Sequence, residues 1–175
     1  MAANLNLLAS LRPTKVHADF AGRRWPLEAA TASDWLSAIA HDFEELEGVF
    51  PGLIAPEDLE DFWPICLQQW PGGMVRVAAR QAVGTAAGRD WWWTVNLTRM
   101  ALGGWIYING ILVRQGVLCD RLGLADWLDA CYSLLWERSA EEQRKSLDLA
   151  LSTPPRGVKG GKEAIRKMMA DFAAD

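Results

Sequence analysis

The sequence predicts a mainly α domain, compact and helical, with a small N-terminal β-hairpin and a flexible C-terminal tail. Three observations carry that prediction. Half of the 175 residues are apolar, enough for a sizeable core at a length that suits one domain. Apolar residues recur at helical spacing in several separated segments. Gly and Pro clusters fall mostly between those segments. The helical domain is expected over 13–152, between a mobile arm at 1–12 and a tail at 153–175.

Residues 1–12 carry no period that would anchor them. Val16-His17-Ala18-Asp19-Phe20 alternates, and with Gly22 and the following Trp25-Pro26-Leu27 it predicts a hairpin at 15–28 with Gly22 in the turn. Thr31 followed by Asp34 resembles a helix-starting cap, after which Trp35, Ile39, Phe43 and Leu46 recur on one face until Gly48. Pro56 suits the first turn of the next helix, where Leu59, Phe62, Trp63, Cys66, Leu67 and Trp70 form a stripe that Pro64 should kink or split. Beyond Gly72-Gly73, residues 75–87 read as an Ala-rich helix ending at Gly88.

The segment from Asp90 onward is the most apolar in the chain. One long helix over 91–113 competes with a break at Gly103-Gly104 and a strand pair around Asn109-Gly110; the flanks of Asn109-Gly110 do not alternate, which favours helix. Leu124, Trp127, Leu128, Cys131 and Leu135 make another helical stripe. Ser139 with Glu142 reads as a capping box opening a charged helix that runs to about Leu151. Ser152-Thr153-Pro154-Pro155 stops it, residues 157–162 read as a flexible basic linker, and Ile165, Met168, Met169 and Phe172 share one face of a short terminal helix.

Three consecutive tryptophans, Trp91-Trp92-Trp93, cannot all enter one core, because helical neighbours fan out by about 100°. On a helical wheel Trp91 lies with Val95, Leu102 and Trp105, and Trp93 with Leu97, Met100, Ile108 and Ile111, which makes both core residues. Trp92 shares its face with Asn96, Arg99, Gly103, Gly110 and Arg114, all polar or small. It is the odd one out, and that face suits either close helix approach over the glycines or a partner anchored on the indole. Most of the ten tryptophans are expected in the core.

The formal charge of −4, with Lys and Arg scattered until the tail, argues against nucleic acid as a partner. The apolar run over 100–113 is shorter than the ~18 residues a membrane span needs and is closed by Arg99 and Arg114, so no membrane partner is expected. The N-terminus does not read as a secretion signal, and Cys66, Cys119 and Cys131 lack the number or spacing of a disulfide framework or zinc site. A cytoplasmic protein fits best.

No enzyme is predicted, and neither a cofactor nor a metal. Gly160-Gly161-Lys162 fails as a phosphate-binding loop, since Arg156 stands where a glycine is required and Glu163 where Ser or Thr is. The carboxylates Asp42, Glu44, Glu45 and Glu47 lie largely on a solvated helix face. Glu57, Asp58, Glu60 and Asp61 open the next helix, where negative charge suits the dipole. His17 and His41 stand alone. The expected function is protein binding, through Trp92 and the stripe Ile165, Met168, Met169 and Phe172, with Trp63 and Trp70 contributing. The terminal helix, too short to stand alone in water, must dock either on its own domain or on a partner.

In its order of features the chain resembles the tail assembly chaperones of long-tailed actinobacterial phages. The resemblance rests on Arg12-Pro13-Thr14-Lys15-Val16-His17-Ala18-Asp19-Phe20 with Gly22 and Trp25, on Ala32-x-x-Trp35-Leu36, and on Gly88-Arg89-Asp90-Trp91-Trp92-Trp93, and it covers much of 12–136. It implies a small, mostly helical, non-enzymatic protein of the infected host cytoplasm, absent from the mature virion. Such a chaperone binds the tape measure protein and keeps it soluble while the tail tube polymerises, with other tail proteins as further candidate partners. It also implies a longer form made by ribosomal frameshifting, for which the Gly161-Lys162 codons are a candidate site. A homo-oligomer is compatible with this role. Competing expectations are a structural tail-completion or connector protein of the virion, and a small phage-encoded adaptor or inhibitor of a host protein.

Overall fold

The computed structural model describes residues 16–20, 22–28, 31–41, 43, 46, 49–69 and 74–154. It is mainly helical with one small antiparallel hairpin, as the sequence predicts. Strands β1 (Val16–Phe20) and β2 (Arg23–Leu27) pair in the register Ala18 opposite Trp25, with Gly22 in the turn at φ +75°. That left-handed backbone costs glycine nothing. The alternation puts Val16, Ala18, Trp25 and Leu27 into the core.

Helix α1 (Ala32–His41) begins as its sequence says: the Thr31 backbone and hydroxyl both donate to Asp34 Oδ2, at 2.9 and 2.8 Å. Two of its first amides, Ala32 and Ser33, donate to the carbonyls of Leu122 and Cys119, so a distant loop completes the cap. The helix ends at His41, before Phe43 and Leu46, which the sequence stripe had included. Leu46 adopts φ 60° and still buries its side chain completely, so it enters the core from a left-handed backbone position and not from a continued helix. A one-turn helix, α2 (Val49–Leu53), follows.

Helix α3 (Pro56–Gln69) continues through Pro64. The split expected there does not occur: Pro64 and Glu60 both face solvent, so water can satisfy the carbonyl that proline leaves unbonded. Trp70 lies outside the described residues, as do 1–15 and the tail from 155 onward, including Ile165, Met168, Met169 and Phe172. Helix α4 (Met74–Ala87) packs on β1 and turns sharply into α5 (Trp91–Gly103). The turn needs Gly84, where an added Cβ would sit 3.0 Å from the Arg89 carbonyl oxygen.

Residues 105–113 are helical, as favoured, but in a separate helix, α6 (Trp105–Arg114). Gly104 is the break: its N–H closes α5 on the Met100 carbonyl, and its own carbonyl accepts the Ile108 N–H that opens α6. Helices α7 (Leu124–Glu137) and α8 (Glu141–Ser152) complete the described chain. The cap of α8 is shifted one residue from the expected Ser139/Glu142 box: Gln143 Oε1 accepts the Ala140 N–H, while the Ser139 hydroxyl donates to the Leu135 carbonyl. Alanine at the cap has no side-chain acceptor, so only the returning half of the box forms. Helix α5 touches α1, α4, α6, α7 and α8, and is therefore the centre of the bundle.

Candidate protein-docking surface

The three tryptophans begin this central helix. Its buried face is Thr94, Leu97, Thr98 and Ala101, with Val95, and Trp92 lies roughly 160–180° round the helix from the middle of that face. Trp91 and Trp93 flank it, one on each side. Both are half-buried against the core instead of inside it, which corrects the expectation that they are core residues. Each leans one ring face on an arginine: Arg80 stands 4.3 Å from the Trp91 ring centre and Arg89 4.3 Å from that of Trp93. Guanidinium groups cover indole faces well because both are planar and the ring face is electron-rich. Trp92 meets Trp91 edge-on at 5.9 Å. The fully buried tryptophans are Trp25, Trp35 and Trp127; Trp105 and Trp136 are half-buried.

The polar face of α5 that carries Trp92 is partly used by the protein itself. Asn96 Nδ2 donates to the Ala150 carbonyl at 3.1 Å, near the C-terminus of α8, and Arg99 stands over the Phe43 ring at 5.0 Å. Trp92 therefore sits beside two intramolecular contacts, half-buried.

Helix α8 is held by few apolar contacts, with Leu151 buried and Leu147 partly so. A chain of aromatic and cationic groups supplements them. Arg89, Trp93, Tyr132, Trp136 and Arg144 stack in succession, with the Trp93–Tyr132 and Tyr132–Trp136 rings 5.9 and 5.7 Å apart. Arg89 also pairs with Asp129 at 2.9 Å, Tyr132 Oη donates to Asp148 at 2.8 Å, and Arg144 Nε donates to the Trp136 carbonyl. Burial, then the bond to Asp148, raises the Tyr132 pKa above its ordinary value.

Among the described residues, α6 and α3 each expose more than one large apolar side chain on one face. On α6, Ile106, Gly110 and Val113 follow one another at i, i+4, i+7, opposite the buried Ile108, Ile111 and Leu112. Ile106 is 90 % exposed, and a Cβ added at Gly110 would meet nothing within 4 Å, so this stripe is open along its middle. It is bordered by Arg114 and by Tyr107, whose hydroxyl accepts from Arg138. On α3, Trp63 and Leu67 are exposed at i, i+4, while the adjacent Phe62 is buried, edge-on to Trp25 at 5.3 Å and to Trp63 at 6.0 Å. Of the residues expected in a partner surface, Trp63 is thus on an open apolar face and Trp92 is not; nothing brings the two together. The α6 stripe was not singled out in sequence, although its 106/110/113 spacing was there to be read.

Among the described residues no group of three or more His, Cys, Asp or Glu is placed to hold a metal ion, and no helix is long and apolar enough to cross a membrane. Cys131 is buried, and that burial, reinforced by Cys119 nearby, pushes its thiol pKa far up and keeps it protonated. Among the described residues, Thr98 Oγ1 and Trp127 Nε1 are buried without a hydrogen-bond partner. No protein-family model, no curated protein and no solved structure matches the chain.

Proposed function

We propose that the protein is a non-enzymatic tail assembly chaperone of a long-tailed phage, which binds the tape measure protein in the host cytoplasm and keeps it soluble while the tail is built. The observation that carries the proposal is the unpartnered α6 face, Ile106, Gly110 and Val113, on a helix otherwise packed into the bundle. An apolar stripe open at a glycine accepts another helix lengthwise, and its Arg114 and Arg138 border suits a client helix with acidic flanks. A long, apolar-striped client is what the resemblance implies. The arrangement also gives a binder what it needs between clients: a folded, net-acidic body that resists clumping while one face stays open.

Co-expression with the tape measure protein, followed by pull-down, tests the proposal. Client recovered in the soluble fraction with the chaperone supports it, together with absence of the chaperone from purified particles. Stoichiometric presence in particles would assign it instead to the virion as a tail-completion or connector protein. Failure to retain any tail protein, with capture of a host protein, would assign it to the adaptor class.

A further inference from the structure

The second exposed face, on α3, fits a segment of this same chain. Glu60, Trp63 and Leu67 follow at i, i+3, i+7, with Trp63 42 % and Leu67 71 % exposed. Glu57 and Glu60, both exposed, border the face and make no ion pair among the described residues, whereas Asp58 and Asp61 are already engaged by Arg23 at 3.2 and 2.8 Å. The face is therefore apolar with a free acidic edge. In the tail, Ile165, Met168, Met169 and Phe172 form an apolar stripe, and Lys162 and Arg166, three residues before Ile165 and Met169, lie along one edge of it. Stripe and edge match in both apolarity and charge. The α6 face, bordered by Arg114 and Arg138, would instead repel that basic edge.

We propose that the C-terminal segment around 162–172 docks in its own chain on the α3 face, with Ile165, Met168, Met169 and Phe172 over Trp63 and Leu67, and Lys162 and Arg166 toward Glu57 and Glu60. The chain leaves α8 at Pro154, close to where the Ala150 carbonyl meets Asn96 on α5. From there α8, α5, α4 and α3 pack in succession, so three helix spacings of about 8–10 Å put the α3 axis within roughly 24–30 Å of that of α8. The ten residues 155–164 reach ~33–36 Å when extended. That length is enough to reach α3. A helix of this length is marginal in water, so the α3 face supplies the packing that orders it and is itself covered in return.

Hydrogen exchange read by mass spectrometry on the full chain, with no client present, tests this apart from the client-binding proposal. The reference is a free peptide of residues 162–175. Residues 165–172 should exchange on the order of tenfold more slowly in the full chain than in the peptide. Leu67→Glu or Met169→Glu should each restore the peptide's rate while α7 stays protected. Because Met169 lies in the tail, its replacement isolates docking from folding. Exchange at the peptide's rate in the unaltered chain would overturn the proposal. So would protection that survives Leu67→Glu but is lost in Ile106→Glu, protection lost on removing residues 1–12, or protection that rises with protein concentration; these place the partner on α6, in the N-terminal arm, or in a second copy.

Discussion

Replacing Trp91, Trp92 and Trp93 one at a time with Ala should separate three adjacent, chemically identical side chains. Truncating a fully buried tryptophan costs ~3–5 kcal/mol. Trp91 and Trp93 are mostly buried against the core, so the larger part of that, ~2–4.5 kcal/mol, belongs to burial. Each also loses an arginine stacked at 4.3 Å, worth ~0.5–1 kcal/mol at such a site. The sum is ~2.5–5.5 kcal/mol apiece. Trp92 is partly buried too but does not pack on the buried cluster, so its loss should fall below theirs, with ~0.5–1.5 kcal/mol of it from the edge contact with Trp91 at 5.9 Å. Urea unfolding followed by far-ultraviolet circular dichroism reads all three without relying on tryptophan fluorescence. Equal losses at the three positions, or a loss at Trp92 matching that at Trp91, would refute the wheel placement that sets Trp92 apart.

The remaining predictions concern buried polar groups. Thr98 is buried with no partner for its hydroxyl, so Thr98→Val should raise stability by ~1 kcal/mol by removing a desolvated orphan. Thr94→Val gives up a hydroxyl bond to the Asp90 carbonyl at 3.2 Å and should lower stability by ~0.5–1.5 kcal/mol; thermal melting of the pair distinguishes them, and a fall in both would mean the Thr98 hydroxyl is satisfied. Cys131, its pKa raised by burial, should resist alkylation in the folded protein and react on unfolding. Because the folded thiol keeps its proton while the unfolded one loses it, this group leaves stability unchanged below the unfolded pKa of about 8.5 and lowers it as pH rises above that value. A Cys131→Ala variant should remove that part of the alkaline slope in urea titrations.

Much of the fold was legible because local chemistry and global packing agree. The Thr31/Asp34 cap, the Gly22 turn and the alternation of β1 each work through neighbours a few residues apart, and each formed as read. What failed depends on distant contacts. Leu46 is buried from a left-handed backbone position that no periodicity announces, and α1 is capped by carbonyls of Cys119 and Leu122. The α8 cap moved by one residue because Ser139 is spent on the preceding helix. Treating 91–113 as one helical wheel put Gly110 and Arg114 on the face of Trp92, yet the break at Gly104 sends them onto a second helix. That break also creates the exposed Ile106 stripe. A wheel drawn from Trp105 alone would have shown it, and the i, i+4 spacing of Arg89 and Trp93 was legible too, whereas Arg80 reaches Trp91 from α4 and no sequence spacing predicts that pairing.

The most direct test of the proposed role is the solubility of the tape measure protein co-expressed with the unaltered chain or with Ile106→Asp. Ile106 is almost fully exposed, so the substitution should leave the far-ultraviolet spectrum and unfolding midpoint essentially unchanged while replacing the most exposed apolar side chain of the α6 stripe with a charge. The account predicts soluble, co-purifying client with the unaltered chain and aggregated client with the variant. Client that is equally soluble in both, or equally aggregated in both, would contradict it.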